Sequence, residues 1–367
     1  MTRTLLALSF LTLAVGCSKS DGSGGDAPLP GSKKSDASAA AGGKVMLTGA
    51  GATFPYPLYT KWIAEYTKAN PGIQLNYQSI GSGGGIRQIT ERTVDFGASD
   101  APMSEEQLAK APGMLHIPTC LGAVVLTYNL EGVPTGLKIT PEAAAGIFLG
   151  KIKDWDDPLI ARENPGVLLP KKPIASVHRS DGSGTTKIFV DYLSAVSPEW
   201  KSGPGAGTSV SWPSGLGAKG NEGISGQVSS TPGAVGYVEL VYAAQNKLSY
   251  ASMKNAAGKF VLPTLESVTA AGASALAKMP DDLRVSIVNA EGEAAYPIAG
   301  FTYMLLFKEQ KDAVKGKALT EFLSWSIHDG QKLAAPLNYA PLPDELAKKA
   351  DAKLHLVTGP DGKAFLP

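Results

Sequence analysis

The 367-residue chain predicts an α/β fold divided into two domains. Three observations carry that expectation. Strand-like and helix-like segments alternate along the body, as layered α/β architectures require. The pattern strand, Gly/Ser/Thr turn, helix recurs near residues 53, 82 and 183. About 320 residues follow a low-complexity N-terminal stretch, more than one hydrophobic core usually supports.

The N-terminus sets the compartment. Arg3 precedes an apolar run from Leu5 to Val15 that is too short to span a bilayer and fits an export signal. The run ends in Gly16-Cys17, a small residue before a cysteine, as in bacterial lipoprotein signals. Residues 1–16 are therefore expected to be a lipoprotein signal peptide, with Cys17 lipidated and anchoring the chain to a membrane. Ala14 stands where that pattern usually has leucine, and an ordinary signal peptide that happens to contain a cysteine is the alternative. Residues 17–43 are almost all Gly, Ser, Ala, Pro, Asp and Lys, which cannot bury enough apolar surface to order themselves. They read as a flexible tether reaching about 28 Å root-mean-square, or as an interaction tail.

The body then alternates. Val45–Thr48 reads as a strand ending at Gly49-Ala50-Gly51-Ala52-Thr53-Phe54-Pro55. Leu58, Trp62, Ile63 and Tyr66 fall on one face of a following helix with Pro55 or Pro57 in its first turn. A second strand, Ile73–Tyr77, stops at Gly81-Ser82-Gly83-Gly84-Gly85, and Ile86 and Ile89 open a short helix. Val94–Phe96 is a third strand, closing on Gly97-Ala98-Ser99-Asp100. Ser104 and Gln107 have the spacing of a capping box. Further strands are expected at Leu121–Tyr128, Pro173–Val177, Val235–Tyr242 and Thr302–Phe307, with a helix at Val314–His328. In open α/β sheets ligands sit where turns converge at the carboxyl ends of the strands.

Arg179-Ser180-Asp181-Gly182-Ser183-Gly184-Thr185-Thr186 is the stretch richest in chemistry. It opens a helix with Ile188, Phe189, Tyr192, Leu193 and Val196 at three-and-four spacing. A helix start carries unpaired N–H groups and partial positive charge, a natural seat for an anion. Ser183 and Thr185 add hydroxyl donors, and Arg179 adds a planar charged fork. Such a turn suits phosphate or sulfate. Arg179 could also simply pair with Asp181, Thr53 and Ser82 could be plain helix caps, and Asp100 could be a turn residue.

Several other chemistries fail. Phe54 stands where a dinucleotide fingerprint beginning at Gly49 needs its third glycine. Gly215-Leu216-Gly217-Ala218-Lys219-Gly220 matches that spacing but follows no clear strand and reads as a surface loop. Asp181 stands where a nucleophile elbow around Ser183 needs glycine. His178, the one histidine near it in sequence, would point away from Arg179 on an extended segment. The four histidines lack metal-ligand spacing, so neither metal nor cofactor is expected. Apart from Cys17 the only cysteine is Cys120, inside an apolar run, which reads as a buried small hydrophobe. A net charge of +1 argues against a nucleic-acid partner or a polybasic membrane surface.

Thr48–Pro55 (TGAGATFP), Gly81–Gln88 (GSGGGIRQ), Val94–Pro102 (VDFGASDAP), Phe148–Asp156 (FLGKIKDWD), Arg179–Thr185 (RSDGSGT) and Gly215–Gly223 (GLGAKGNEG) occur in that order. With Gly236-Tyr237-Val238-Glu239, they resemble the PstS family, the phosphate-binding protein of the bacterial high-affinity ABC phosphate transporter, in its lipoprotein form. Gly83 departs from the family, which often has a second serine there. The resemblance implies a two-lobed, type II periplasmic-binding-protein-like fold, each lobe a mixed sheet flanked by helices. Two crossover segments near Thr119-Cys120 and Tyr296-Pro297 would divide it into lobe I, 44–119 plus 297–367, and lobe II, 120–296. By position, phosphate would be contacted by Thr53, Phe54, Ser82, Asp100, Arg179, Ser183, Gly184 and Thr185. The resemblance further implies delivery to membrane permease subunits by a monomer that is periplasmic or at the cell surface.

Asp100 facing an anion makes sense once protons are counted. Phosphate near neutral pH keeps a proton and can donate it to a carboxylate, whereas sulfate cannot. Two alternatives remain at this point: a secreted phosphomonoesterase using Ser183 or Thr53, and a binder of another tetrahedral oxyanion such as sulfate or molybdate.

Overall fold

Alternating Val45 and Leu47 begin the first strand, and from Gly49 onward both of its faces are buried. The computed structural model describes residues 44–276 and 278–367; the expected signal peptide, Cys17 and the tether lie outside the described residues. Twelve strands follow in chain order among them: β1 (Val45–Gly51), β2 (Ile73–Ser79), β3 (Phe96–Ser99), β4 (Met114–Tyr128), β5 (Lys138–Ile139), β6 (Ala175–Arg179), β7 (Leu216–Ala218), β8 (Ala234–Glu239), β9 (Ser249–Tyr250), β10 (Ser252–Lys254), β11 (Phe260–Val261) and β12 (Ala299–Phe307).

One mixed sheet runs in the order β2-β1-β3-β12-β4-β8-β6-β7, with β9 added beside β4. Strands β1, β2 and β3 are parallel, as are β6, β7 and β8, while β12 enters antiparallel between β3 and β4. Strand β4 joins the two parallel groups. Its residues up to Ala123 pair with β12, and Val124–Tyr128 pair with β8. The ladder with β12 slips between Thr302 and Tyr303, leaving Thr119 as the extra residue of a bulge. The Thr119 hydroxyl is held there by Tyr59 Oη at 2.8 Å and by the Thr302 carbonyl at 3.2 Å.

The helices form as their spacing predicts. Helix Tyr56–Ala69 buries Leu58, Tyr59, Trp62 and Tyr66, and Trp62 Nε1 donates to the Gly330 carbonyl at 2.7 Å. Ser104 and Gln107 make both bonds of the capping box. Helix Gly184–Val196 buries Ile188, Phe189, Tyr192 and Leu193, and helix Ala313–Ile327 covers the expected C-terminal segment.

Four expectations need correction. Strand β3 is Phe96–Ser99 and not Val94–Phe96, because residues 97–99 continue the pairing with β1 and β12 before the chain turns at Asp100. Strand β4 starts at Met114, well before Leu121, because the bulge lets the strand continue past Pro118. Strand β8 stops at Glu239, and Leu240–Gln245 is helical. The run Val235–Tyr242 is apolar and buried in either state, so periodicity cannot separate them; the Glu239 carboxylate decides by accepting from Val241 N at 2.7 Å and capping the helix. The glycine-rich segment 215–220 lies at the surface, as expected, but it is not a loop. It forms edge strand β7 beside β6 and leads into helix Gly220–Ser230.

Gly85 shows how tightly the first turn-helix unit seats on the sheet. A methyl group there would come within 2.5 Å of Gly51 Cα and 2.7 Å of the Ala50 and Ala98 carbonyl oxygens. All three are backbone atoms and cannot rotate away. Gly85→Ala is therefore expected to cost about 1–3 kcal/mol from overpacking, outweighing a helix-propensity gain of about 1 kcal/mol. The check is a lower urea midpoint at unchanged m value; an unchanged midpoint would refute the close approach.

Candidate functional site

The parallel strands deliver their carboxyl-terminal turns to one place. Thr53 follows β1, Ser82 begins helix Ser82–Thr90 after β2, and Asp100 directly follows β3. From the other parallel group come Arg179, the last residue of β6, and Ser183, the N-cap of helix Gly184–Val196. All are buried. The two groups touch. Gly184 N donates to Ser82 Oγ at 3.0 Å and Gly83 N donates to the Gly182 carbonyl at 2.9 Å; within the first group, Asp100 N donates to Ser82 Oγ at 3.3 Å. A Cβ on Gly184 would fall 2.5 Å from Ser82 Oγ and 2.7 Å from Asp100 Oδ2, so only glycine permits this approach.

Thr53 and Ser82 are not helix caps. Pro55 occupies the N-cap of helix Tyr56–Ala69, and Gly81 precedes helix Ser82–Thr90. Thr53 Oγ1 instead accepts from Asn221 N at 3.2 Å and Asn221 Nδ2 at 2.7 Å, and its carbonyl accepts from Tyr242 Oη. The same Nδ2 reaches Thr185 Oγ1 at 3.2 Å. Phe54 is fixed through its carbonyl, which accepts from Tyr339 Oη at 2.6 Å. Ser183 Oγ does cap, accepting from Thr186 N at 2.9 Å.

Arg179 does pair with Asp181. Nε and Nη2 grip the two carboxylate oxygens at 2.7 and 2.6 Å. Burial raises the Asp181 carboxyl, but the Arg179 bonds and charge, helped by Gly220 N–H, outweigh it and hold the group below its ordinary value. The third nitrogen, Nη1, is buried with no partner among the described residues. Asp100 is its counterpart. Oδ1 accepts from Thr302 Oγ1 at 2.8 Å, while Oδ2 is buried with no partner among the described residues. Burial pushes the Asp100 carboxyl up to about 7, against the Thr302 hydrogen bond, the Arg179 charge and Ser82. One cationic donor and one acceptor therefore stand unsatisfied inside a shell of hydroxyls and helix starts. Chemically, such a shell can hold a small tetrahedral anion that also has a proton to give.

His178 stacks on Trp212 with ring centroids 4.8 Å apart, and its Nδ1 lies 3.2 Å from the Arg179 carbonyl. Cys120 is fully buried, and burial, with Glu239 and Asp100 nearby, pushes its thiol up.

A family model described as a PBP superfamily domain matches residues 35–329. A phosphate-binding protein PstS of Xylella fastidiosa (strain 9a5c) is 46% identical over 351 residues, 95% of this chain and 96% of the relative. The phosphate-binding protein PstS of Pasteurella multocida is 47% identical over 321 residues, 87% of this chain and 93% of the relative. This chain belongs to the PstS family. Solved structures agree on the fold. A high-affinity periplasmic phosphate-binding protein bound with phosphate (PfluDING) superposes with a TM-score of 0.69 at 22% identity, covering 84% of this chain and 93% of that one. A phosphate-binding protein from Stenotrophomonas maltophilia superposes at 0.67 and 20% identity, covering 88% and 99%. The mixed α/β architecture is thus periplasmic-binding-protein-like.

For this PstS-family chain, sequence reasoning missed Asn221, Thr302 and Tyr237. Tyr237 Oη accepts from Arg179 N at 3.0 Å and bonds Thr186 Oγ1 at 2.7 Å. Asn221 and Tyr237 both sit inside the quoted family segments, which was the available signal. Thr302 had none, because a threonine in an apolar strand reads as filler until β12 is known to lie beside β3.

Proposed function

We propose that the protein binds inorganic phosphate between two lobes, 44–119 with 297–367 and 120–296, and delivers it to the membrane subunits of an ABC-type permease. One observation carries this reading: buried Arg179 Nη1 and Asp100 Oδ2 lack partners among the described residues, and the Arg179 charge reaches the Asp100 carboxyl. A donor and an acceptor together match an oxyanion that carries both bare oxygens and a hydroxyl. The relatives named as phosphate-binding proteins support it. The contacting groups are Thr53, Phe54, Ser82, Asp100, Arg179, Ser183, Gly184 and Thr185.

The protein acts as a binder and not an enzyme. Ser183 Oγ is engaged as a helix cap and His178 is turned onto Trp212, which argues against a Ser183–His178 nucleophile and base pair. Export with a lipid anchor at Cys17 and a monomeric state complete the proposal. Closure of the lobes would replace the hydration shell of the ion with fixed donors. The test is calorimetry with phosphate, sulfate and molybdate. Tight binding of phosphate alone is the expected result, and equal affinity for sulfate would refute it.

A further inference from the structure

Each hydroxyl oxygen offers two lone pairs and one proton. At Thr53 both lone pairs are taken, one by Asn221 N at 3.2 Å and one by Asn221 Nδ2 at 2.7 Å. Nothing is left for Thr53 Oγ1 to do but donate. Nδ2 also supplies Thr185 Oγ1 at 3.2 Å, so a single amide nitrogen bridges two hydroxyls that come from opposite parallel groups of the sheet.

The orientation of this amide is dictated by the backbone. Glu239 N–H, which can only donate, meets Asn221 Oδ1 at 2.9 Å, so the oxygen must face Glu239 and the NH2 must face the threonines. Asn221 is itself fixed at the start of helix Gly220–Ser230, where Gly220 N donates to Asp181 Oδ1 at 3.1 Å and the Asn221 carbonyl accepts from Ser225 Oγ at 2.9 Å. This third helix start spends its first N–H groups on protein atoms, on Asp181 and Thr53. It influences the site at one remove, through the hydroxyls.

We propose that Asn221 is a positioning residue that forces the Thr53 hydroxyl to act as a donor toward the bound anion and, by filling one lone pair of Thr185, biases that hydroxyl the same way. An unconstrained threonine would spend part of its time with its proton turned away, and reorienting it would cost binding free energy. With both Thr53 lone pairs filled in advance, that dipole is set before the ligand arrives. The same arrangement disfavours any ligand that would itself need to donate at those positions, leaving Asp100 as the acceptor that receives a ligand proton. The inference rests on the phosphate reading above.

Calorimetry with inorganic phosphate on the full chain tests it, using Asn221→Ala, Thr53→Val and the double variant. Asn221→Ala is expected to weaken phosphate about ten- to a hundredfold, and most of that loss should vanish in the Thr53→Val background. Fully additive losses would overturn the proposal. Asn221→Asp keeps the oxygen on Glu239 N–H and the side-chain volume, so it serves if the alanine variant does not fold. It offers the threonines only an acceptor and should weaken phosphate more than alanine does; wild-type affinity in that variant would also overturn the proposal.

A purely structural clasp between Asn221 and Thr53 could share the coupling but not the proton positions. Neutron diffraction on deuterated crystals with phosphate should place the Thr53 deuteron toward the ion and the Asn221 Nδ2 deuterons toward the two threonines. A Thr53 deuteron pointing at Asn221 refutes the inference. Failure of the phosphate reading looks different, since the unmutated protein would then give no phosphate heat at all.

Discussion

Asp100→Asn should admit sulfate. In the unmutated protein Asp100 Oδ2 is buried with no partner among the described residues, while Oδ1 is held by Thr302 Oγ1 at 2.8 Å. Phosphate fills that need by donating a hydrogen bond from its own hydroxyl. Sulfate has none to donate, so it would set two acceptors against each other in a dry site. Sites built to receive a substrate hydrogen bond reject the analogue lacking it by about 10⁴-fold or more. In the variant, Thr302 donating to Oδ1 would leave the amide NH2 at the Oδ2 position, where it can donate to a sulfate oxygen. The preference for phosphate should then shrink by about two orders of magnitude or more, since the repulsion is replaced by a bond. Calorimetric titration of both anions against both proteins measures this, and a variant still blind to sulfate would refute the account.

Acid should act in the same direction. The Asp100 carboxyl is pushed up to about 7 by burial, so its proton-carrying form is populated below that value and lost above it. A protonated Asp100 is a donor, like the amide. Sulfate affinity of the unmutated protein should therefore rise as pH falls from about 8 to about 5, while that of Asp100→Asn, which lacks this titrating group, should stay comparatively flat. Sulfate is the proper probe because its own charge is constant over this range. A flat profile for the unmutated protein would mean that Asp100 does not titrate within the site.

How much of this site could be read in advance follows from where its chemistry is encoded. Thr53, Ser82, Asp100 and Arg179 stand in or beside glycine-rich turns that follow strands, and both the turn and the strand are local signals. Their convergence follows from the general geometry of parallel sheets. Asn221 and Thr302 depend on long-range pairing instead. Thr302 meets Asp100 only because β12 lies antiparallel to β3 with Tyr303 opposite Ser99. Asn221 reaches Thr53 across 168 positions of chain. The Leu240–Gln245 helix was illegible for another reason: an apolar buried run has no period, and a capping carboxylate at Glu239 reads like any other acid. The choice between an Arg179–Asp181 pair and an anion contact proved no choice, since a guanidinium has enough donors for both.

That division of labour within Arg179 sets the last expected result. Arg179→Ala removes the cationic donor Nη1 and strands the Asp181 carboxylate, whose low value depends on its partner. Truncating one member of a buried, hydrogen-bonded charge pair costs about 2–5 kcal/mol, which corresponds to phosphate binding weakened about thirty- to five-thousandfold. Arg179→Lys should lose nearly as much. An ammonium is a point charge on a flexible stem; it can bond Asp181 or the ion, but it cannot hold a bidentate fork on one side and reach out on the other. Salt separates this from surface steering. Arg179 is buried, so the affinity gap between the unmutated protein and Arg179→Ala should persist at about 1 M salt, where exposed charges are screened beyond about 3 Å. A gap that closed in salt would mean that Arg179 works from the surface as a general attractor, and the clamp would have to be assigned to the helix starts alone.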